Sequence, residues 1–133
     1  MKNLSLTSVA LLTLLLMAVS NWSCQAPVAE GCNISAEDFT KADLSDVVII
    51  DVRLPIEYNK GHFKGAQSFN ISSSEFESKI GELDKSAKYF VYCRTGGRSC
   101  KAVNYMVQNG FTNVCNILGG LKAVQATGLT LEK

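Results

Sequence analysis

Histidine is nearly absent from these 133 residues; His62 stands alone. With no second histidine and no acid at ligand spacing from it, no metal-binding set forms around it, and His62 reads as a turn-bracing residue. The five cysteines include no C-x-x-C pair, which removes the usual mark of a dithiol oxidoreductase. No dinucleotide-binding glycine pattern occurs either, so no cofactor is implied. Neither sign of charge is in excess: 13 Lys and Arg stand against 12 Asp and Glu. That near-neutrality lacks the basic footprint of a nucleic-acid binder, so no nucleic-acid partner is expected.

The one long apolar run, Leu4 to Val19, is about 16 residues, at the short end for a bilayer span. Lys2 ahead of it and Ala18-Val19-Ser20 behind it fit a cleaved signal segment over residues 1–20. An exported, for instance periplasmic, protein is the expectation. Two tethers stay open: an uncleaved N-terminal anchor, or lipid attachment at Cys24, where a leucine typical of lipoprotein signals is replaced by Asn21. A simpler use of Cys24 is a disulfide to Cys32 across a short loop in an oxidising compartment. Residues 21–34, polar and holding Pro27 and Gly31, read as a flexible leader, and residues 35–133 as one compact domain.

Within that domain, S-A-E-D from Ser35 is a helix cap followed by Phe39. V-V-I-I at 47–50 is the continuous branched run of a strand buried on both faces. Residues 52–66, with Pro55, Gly61 and Gly65, read mostly as turn, and a short strand is expected near 67–70. A serine-capped helix over 72–81 and a strand at 88–92 follow, then a helix from Gly97 to Asn109 with Ala102, Val103 and Met106 on one face. A strand at 113–118 and a last short helix complete the alternation. Strands alternating with helices at this length predict a small α/β domain around a mostly parallel sheet.

The chemistry concentrates in Y-C-R-T-G-G-R-S-C, residues 92–100. A loop that leaves the carboxyl end of a parallel strand and enters a helix turns several unbonded N–H groups toward one point. Gly96 and Gly97 let the backbone curl into an anion-binding nest. A thiol at its centre, Cys93, is expected to ionise easily, helped by Arg94 and Arg98. Such a thiolate can take a sulfane sulfur from an anionic donor, hold it as a persulfide and pass it on.

Over roughly residues 35–126 the chain resembles single-domain rhodaneses, a family of sulfurtransferases. The resemblance is carried by D-V-R at 51–53, E-Y at 57–58, G-H-F-K-G-A at 61–66, Y-C-R-T-G-G-R-S at 92–99 and the glycines 119 and 120. It implies the three-layer rhodanese-like fold, with Cys93 bearing the persulfide. Arg94, Thr95, Gly96, Gly97 and Arg98 would surround the substrate sulfur, with Arg98 shaping the loop. Asp51, Arg53, Glu57 and Ser99 would support the site, Arg53 pairing with Glu57. Phe63 in place of the usual isoleucine, and Leu121 with no tryptophan near the last glycines, depart from the family pattern in ways that bear on the rim.

Related cysteine phosphatases place five residues between cysteine and arginine. Here that position holds Ser99 and the arginine comes one residue early, so the tighter loop suits a single sulfur better than a phosphoryl group. Cys100, on the apolar face of the following helix, is either a packing residue or a resolving thiol for oxidised Cys93; Cys115 reads as an inert strand residue. The partners expected are a small-molecule sulfur donor such as thiosulfate and a thiophilic acceptor, or a thiol-bearing protein. The leading reading is an enzyme; the alternative is a non-enzymatic persulfide carrier or redox binding module.

Overall fold

The computed structural model describes residues 32–133. The proposed signal segment, most of the leader and Cys24 lie outside the described residues.

Branched and aromatic runs form the central strands because both their faces find an apolar cover. Five strands, β1 (Cys32–Ile34), β2 (Val47–Asp51), β3 (Gln67–Ser68), β4 (Lys88–Tyr92) and β5 (Val114–Ile117), make one sheet in the order β1-β5-β4-β2-β3, every pairing parallel. Among the described residues five helices accompany them: α1 (Ala36–Lys41), α2 (Pro55–Asn59), α3 (Phe76–Gly81), α4 (Gly97–Gln108) and α5 (Gly120–Ala126). Alternate residues of β4 divide the core. Tyr89 and Val91 join Ile80, Val103 and Met106 beneath α3 and α4, while Phe90 and Tyr92 join Phe39, Leu121 and Val124 beneath α1 and α5. This is the α/β three-layer, rhodanese-like fold.

Four departures from the sequence reading have local causes. The leader ends sooner than residue 34, because Cys32–Ile34 adds an edge strand to β5, in register Cys32↔Cys115. Those two cysteines form a disulfide, so Cys32 is paired with Cys115 and not with Cys24. Sequence proximity favoured the short loop, whereas the parallel register puts the two Cα atoms 4.4 Å apart. The segment read as turn holds α2, whose Pro55 occupies the helix start and whose Glu57 carboxylate accepts from the Leu54 amide at 3.1 Å. The serine-rich helix starts late, at Phe76; Ser73 instead accepts from the Glu75 amide through its side chain, in a turn ahead of α3.

Candidate active site

Cys93 follows the last residue of β4 and is buried, and it is the free cysteine among the described residues. Its alternation along β4 aims it into the cluster under α3 and α4. The chain then turns sharply back through Arg94, Thr95 and Gly96 into α4. Gly96 caps that helix with φ +100°, a conformation L residues rarely adopt, and this curl brings its own N–H to 3.1 Å from Cys93 Sγ. Ser99, buried in the first turn of α4, donates its hydroxyl to the same sulfur at 3.4 Å. Burial opposes ionisation of the thiol, but the hydroxyl of Ser99 and the amides of Ser99, Thr95 and Gly96 outweigh it and hold Cys93 below the usual thiol value.

The N–H groups can converge on the sulfur because the loop's carbonyls are bound from behind. Leu121 donates its amide to Cys93 O at 2.8 Å, and Lys122 donates to Arg94 O at 3.0 Å. Both donors belong to the first turn of α5. That close approach requires glycine at 120: φ is +59°, and a Cβ there would overlap the carbonyl oxygen of Cys93 and lie 2.8 Å from the carbonyl carbon of Arg94. These backing amides were missed by sequence reasoning; a glycine pair between a strand and a short helix is the signal that could have found them.

The supporting residues pair differently from expectation. Arg53 does not meet Glu57. Only two residues from Asp51, it folds back onto that carboxylate, with Nη2 at 2.6 Å and Nε at 2.9 Å, and also donates to Gly61 O at 2.8 Å. Both side chains are buried, and Tyr92, whose hydroxyl accepts from the Phe63 amide, packs against the guanidinium. This polar knot ties β2, β4 and the 61–63 turn together beneath the site. Glu57, presented by α2, clamps Arg98 in a two-bond fork at 2.7 and 2.9 Å. Arg98 thereby holds α2 against the loop, and its hydrogen bonds lower the Glu57 carboxyl to about 2. Arg94, Thr95 and Gly97 are exposed at the rim. No carboxylate among the described residues forms a salt bridge with Arg94.

Cys100, in α4, is buried and is itself disulfide-bonded, so it offers no thiol to resolve Cys93 in this state. His62 stacks on Tyr58 with ring centroids 3.8 Å apart and pairs through its backbone with Glu132. Among the described residues no cluster of three metal-ligating side chains occurs, and no helix is long and apolar enough to cross a membrane.

The family model for the rhodanese-like domain matches residues 36–127. A sulfurtransferase of Allochromatium vinosum is 32% identical over 90 residues, covering 68% of this chain and 82% of that protein. A tRNA uridine(34) hydroxylase of Cytophaga hutchinsonii is 39% identical over 90 residues, 65% of this chain but 28% of that protein. Among solved structures, a rhodanese-related protein from Thermoplasma volcanium superposes with a TM-score of 0.69 at 29% identity, over 76% of this chain and 97% of that one. The hydroxylases overturn the exclusion of a nucleic-acid partner. A domain of this sequence type forms part of proteins named for acting on tRNA, and near-neutral charge in one domain says nothing of surfaces contributed by the rest of a larger chain. The relatives divide between sulfurtransferases and hydroxylases, and cysteine-based sulfur or redox chemistry is the ground common to them. With a matching family model, the same parallel sheet and a thiol cupped by its strand-to-helix loop, this chain belongs to the rhodanese-like family.

Proposed function

We propose that the protein is a sulfurtransferase working through a Cys93 persulfide. The observation that carries this reading is the sulfur's own surroundings: a Gly96 amide at 3.1 Å and a Ser99 hydroxyl at 3.4 Å, in a loop with only four residues between Cys93 and Arg98. The Cys93 thiolate attacks the outer sulfur of thiosulfate. The S–S bond of the donor breaks, and sulfite leaves with the bonding pair. The new terminal sulfur carries the negative charge that the nest amides solvate. An acceptor nucleophile, cyanide in the simplest assay, then attacks that terminal sulfur; thiocyanate departs and the thiolate returns. No outside oxidant or reductant enters either step.

Exposed Arg94 is the cation positioned to steer an anionic donor, since Arg98 is already engaged by Glu57. An oxidising, exported setting is part of the same proposal. The Cys32–Cys115 disulfide supports it, as does the apolar run at 4–19. Intact-mass measurement tests the function: thiosulfate should add 32 Da to the wild type, cyanide should remove it, and Cys93→Ser should show neither change. Catalytic turnover with both reagents supports an enzyme; one stoichiometric adduct without turnover supports a persulfide carrier.

A further inference from the structure

Cys93 is buried, so an acceptor must reach in to its sulfur, and what surrounds the entrance indicates which kind of acceptor does so. Five large apolar side chains are exposed among the described residues: Leu44, Leu54, Ile56, Leu118 and Leu129. Three of them belong to segments that touch the catalytic loop. Leu54 and Ile56 lie in the opening of α2, whose Glu57 binds Arg98; Ile56 is 63% exposed. Leu118, 44% exposed, immediately precedes Gly119, against whose amide Gly96 is packed. Leu44, by contrast, precedes β2 and so lies toward the opposite end of the parallel sheet.

Beside Leu54 a cleft of about 350 Å³ opens with a mixed lining, Pro55, Phe69 and Phe76 together with polar Asn70, Glu75 and Lys79. It contains no residue of the Cys93 loop, so sulfur transfer from a small anion leaves it unused. Arg94, in the Cys93 loop itself, is exposed, and so is Lys122, whose backbone amide donates to Arg94 O. A small ion such as cyanide gains nothing from apolar flanks or a side-chain-sized cleft. A polypeptide that carries its own cysteine can use both.

We propose that the entrance formed by Leu54, Ile56 and Leu118 around Arg94 is a docking surface for a protein acceptor whose reactive cysteine lies on an exposed loop with neighbouring carboxylate and apolar side chains. The carboxylate meets Arg94 and Lys122; apolar side chains cover Ile56 and Leu118, and a polar side chain beside them can enter the cleft next to Pro55. Charge complementarity selects this occupant, because the pairable cations at the entrance call for an acidic partner. The inference rests on the persulfide reading above. In the transfer the acceptor thiolate attacks the terminal sulfur of the Cys93 persulfide. The Cys93–sulfur bond breaks with its electron pair staying on Sγ, a bond to the acceptor sulfur forms, and the acceptor leaves as a persulfide.

Two synthetic peptides serve as probes, acetyl-Leu-Asp-Cys-Glu-Leu-amide and acetyl-Leu-Lys-Cys-Lys-Leu-amide. Wild-type protein loaded with thiosulfate should pass sulfur to the acidic peptide about tenfold faster than to the basic one. The Ile56→Ser/Leu118→Ser double variant should lose about fivefold of that rate, as for a few central interface contacts, while its reaction with cyanide stays within about twofold of wild type. Arg94→Glu should invert the peptide preference. Equal rates for the two peptides, or a double variant that slows cyanide and peptide alike, would overturn the proposal. Docking is also read without chemistry, by NMR titration of Cys93→Ser protein with the serine form of the acidic peptide. Shifts at Ile56 and Leu118 are expected, and their absence at millimolar peptide would reject the surface. A wild type that never gains 32 Da sinks the persulfide reading instead, a result the titration keeps separate.

Discussion

Cys93 and Cys115 lie on neighbouring parallel strands, each nearly removed from solvent at 2% and 5% exposure, and their fates diverge. Cys115 sits inside β5, where the ladders to β1 and β4 occupy the backbone, so no amide can turn toward its sulfur. Its direct register neighbour is Cys32, and the two sulfurs bond. Cys93 stands one residue past the end of β4, where the ladder has stopped and the next N–H groups curl back on it. Burial alone therefore does not decide whether a cysteine is structural or reactive. The position of the sulfur relative to the end of its strand does, because that sets whether backbone donors are free to solvate a thiolate.

The contrast breaks most sharply when the loop's backing is removed. Gly120→Ala forces a Cβ into the carbonyls of Cys93 and Arg94 and also meets an unfavourable φ, so the loop must shift. We expect sulfur loading to fall by at least about a hundredfold, as misplacement of reacting groups by ~1 Å does, with Cys93 alkylation rates at neutral pH dropping toward those of an ordinary buried thiol. Cys115 should feel nothing. The converse change, Cys32→Ser with Cys115→Val, opens a bridge that spans 83 residues of sequence. Chemical denaturation should show a loss of about 2–4 kcal/mol, while the rate of Cys93 alkylation stays at the wild-type level. Ser99→Ala is the finer probe. Losing one hydrogen bond to a charged sulfur costs about 1.5 kcal/mol, so the thiolate fraction near neutral pH should fall about tenfold, read as an upward move of the pH midpoint for iodoacetamide labelling.

The sequence made much of this legible because the informative patterns are local. The branched run Val47–Ile50, the loop Cys93–Arg98 and the cap at Ser35 each encode their structure within a few residues, and all three stand where expected. What escaped it depends on three-dimensional register. Nothing in the spacing of Cys32 and Cys115 predicts that β1 joins the sheet beside β5. The partner of Glu57 was misassigned in the same way: Arg53 and Glu57 look like neighbours along the chain, yet the turn after β2 folds Arg53 back to Asp51, and α2 delivers Glu57 to Arg98, 41 positions away. A five-residue helix is also too short to show an apolar period, so α2 itself read as turn.

Glu57 offers the smallest effect and the closest look at what sets Cys93 apart. Its fork to Arg98 holds its carboxyl near 2, against an ordinary value of 4.5. Because the folded value is the lower one, the stabilisation is complete above pH 4.5 and is lost as pH falls from there through about 2. The pair is partly open to water, with side-chain exposures of 35% and 25%, so screening limits its worth to about 1 kcal/mol or less. Glu57→Gln should flatten the fall in stability between pH 4.5 and 2.5 by that amount, measured as urea midpoints. The same change removes an anion near the loop and releases the Arg98 charge, and both favour the thiolate. The labelling midpoint of Cys93 should therefore move slightly down, opposite in direction to Ser99→Ala. An upward move would mean that the fork acts mainly by holding the nest in shape, and that Cys93 differs from Cys115 through backbone geometry with little help from the neighbouring cation.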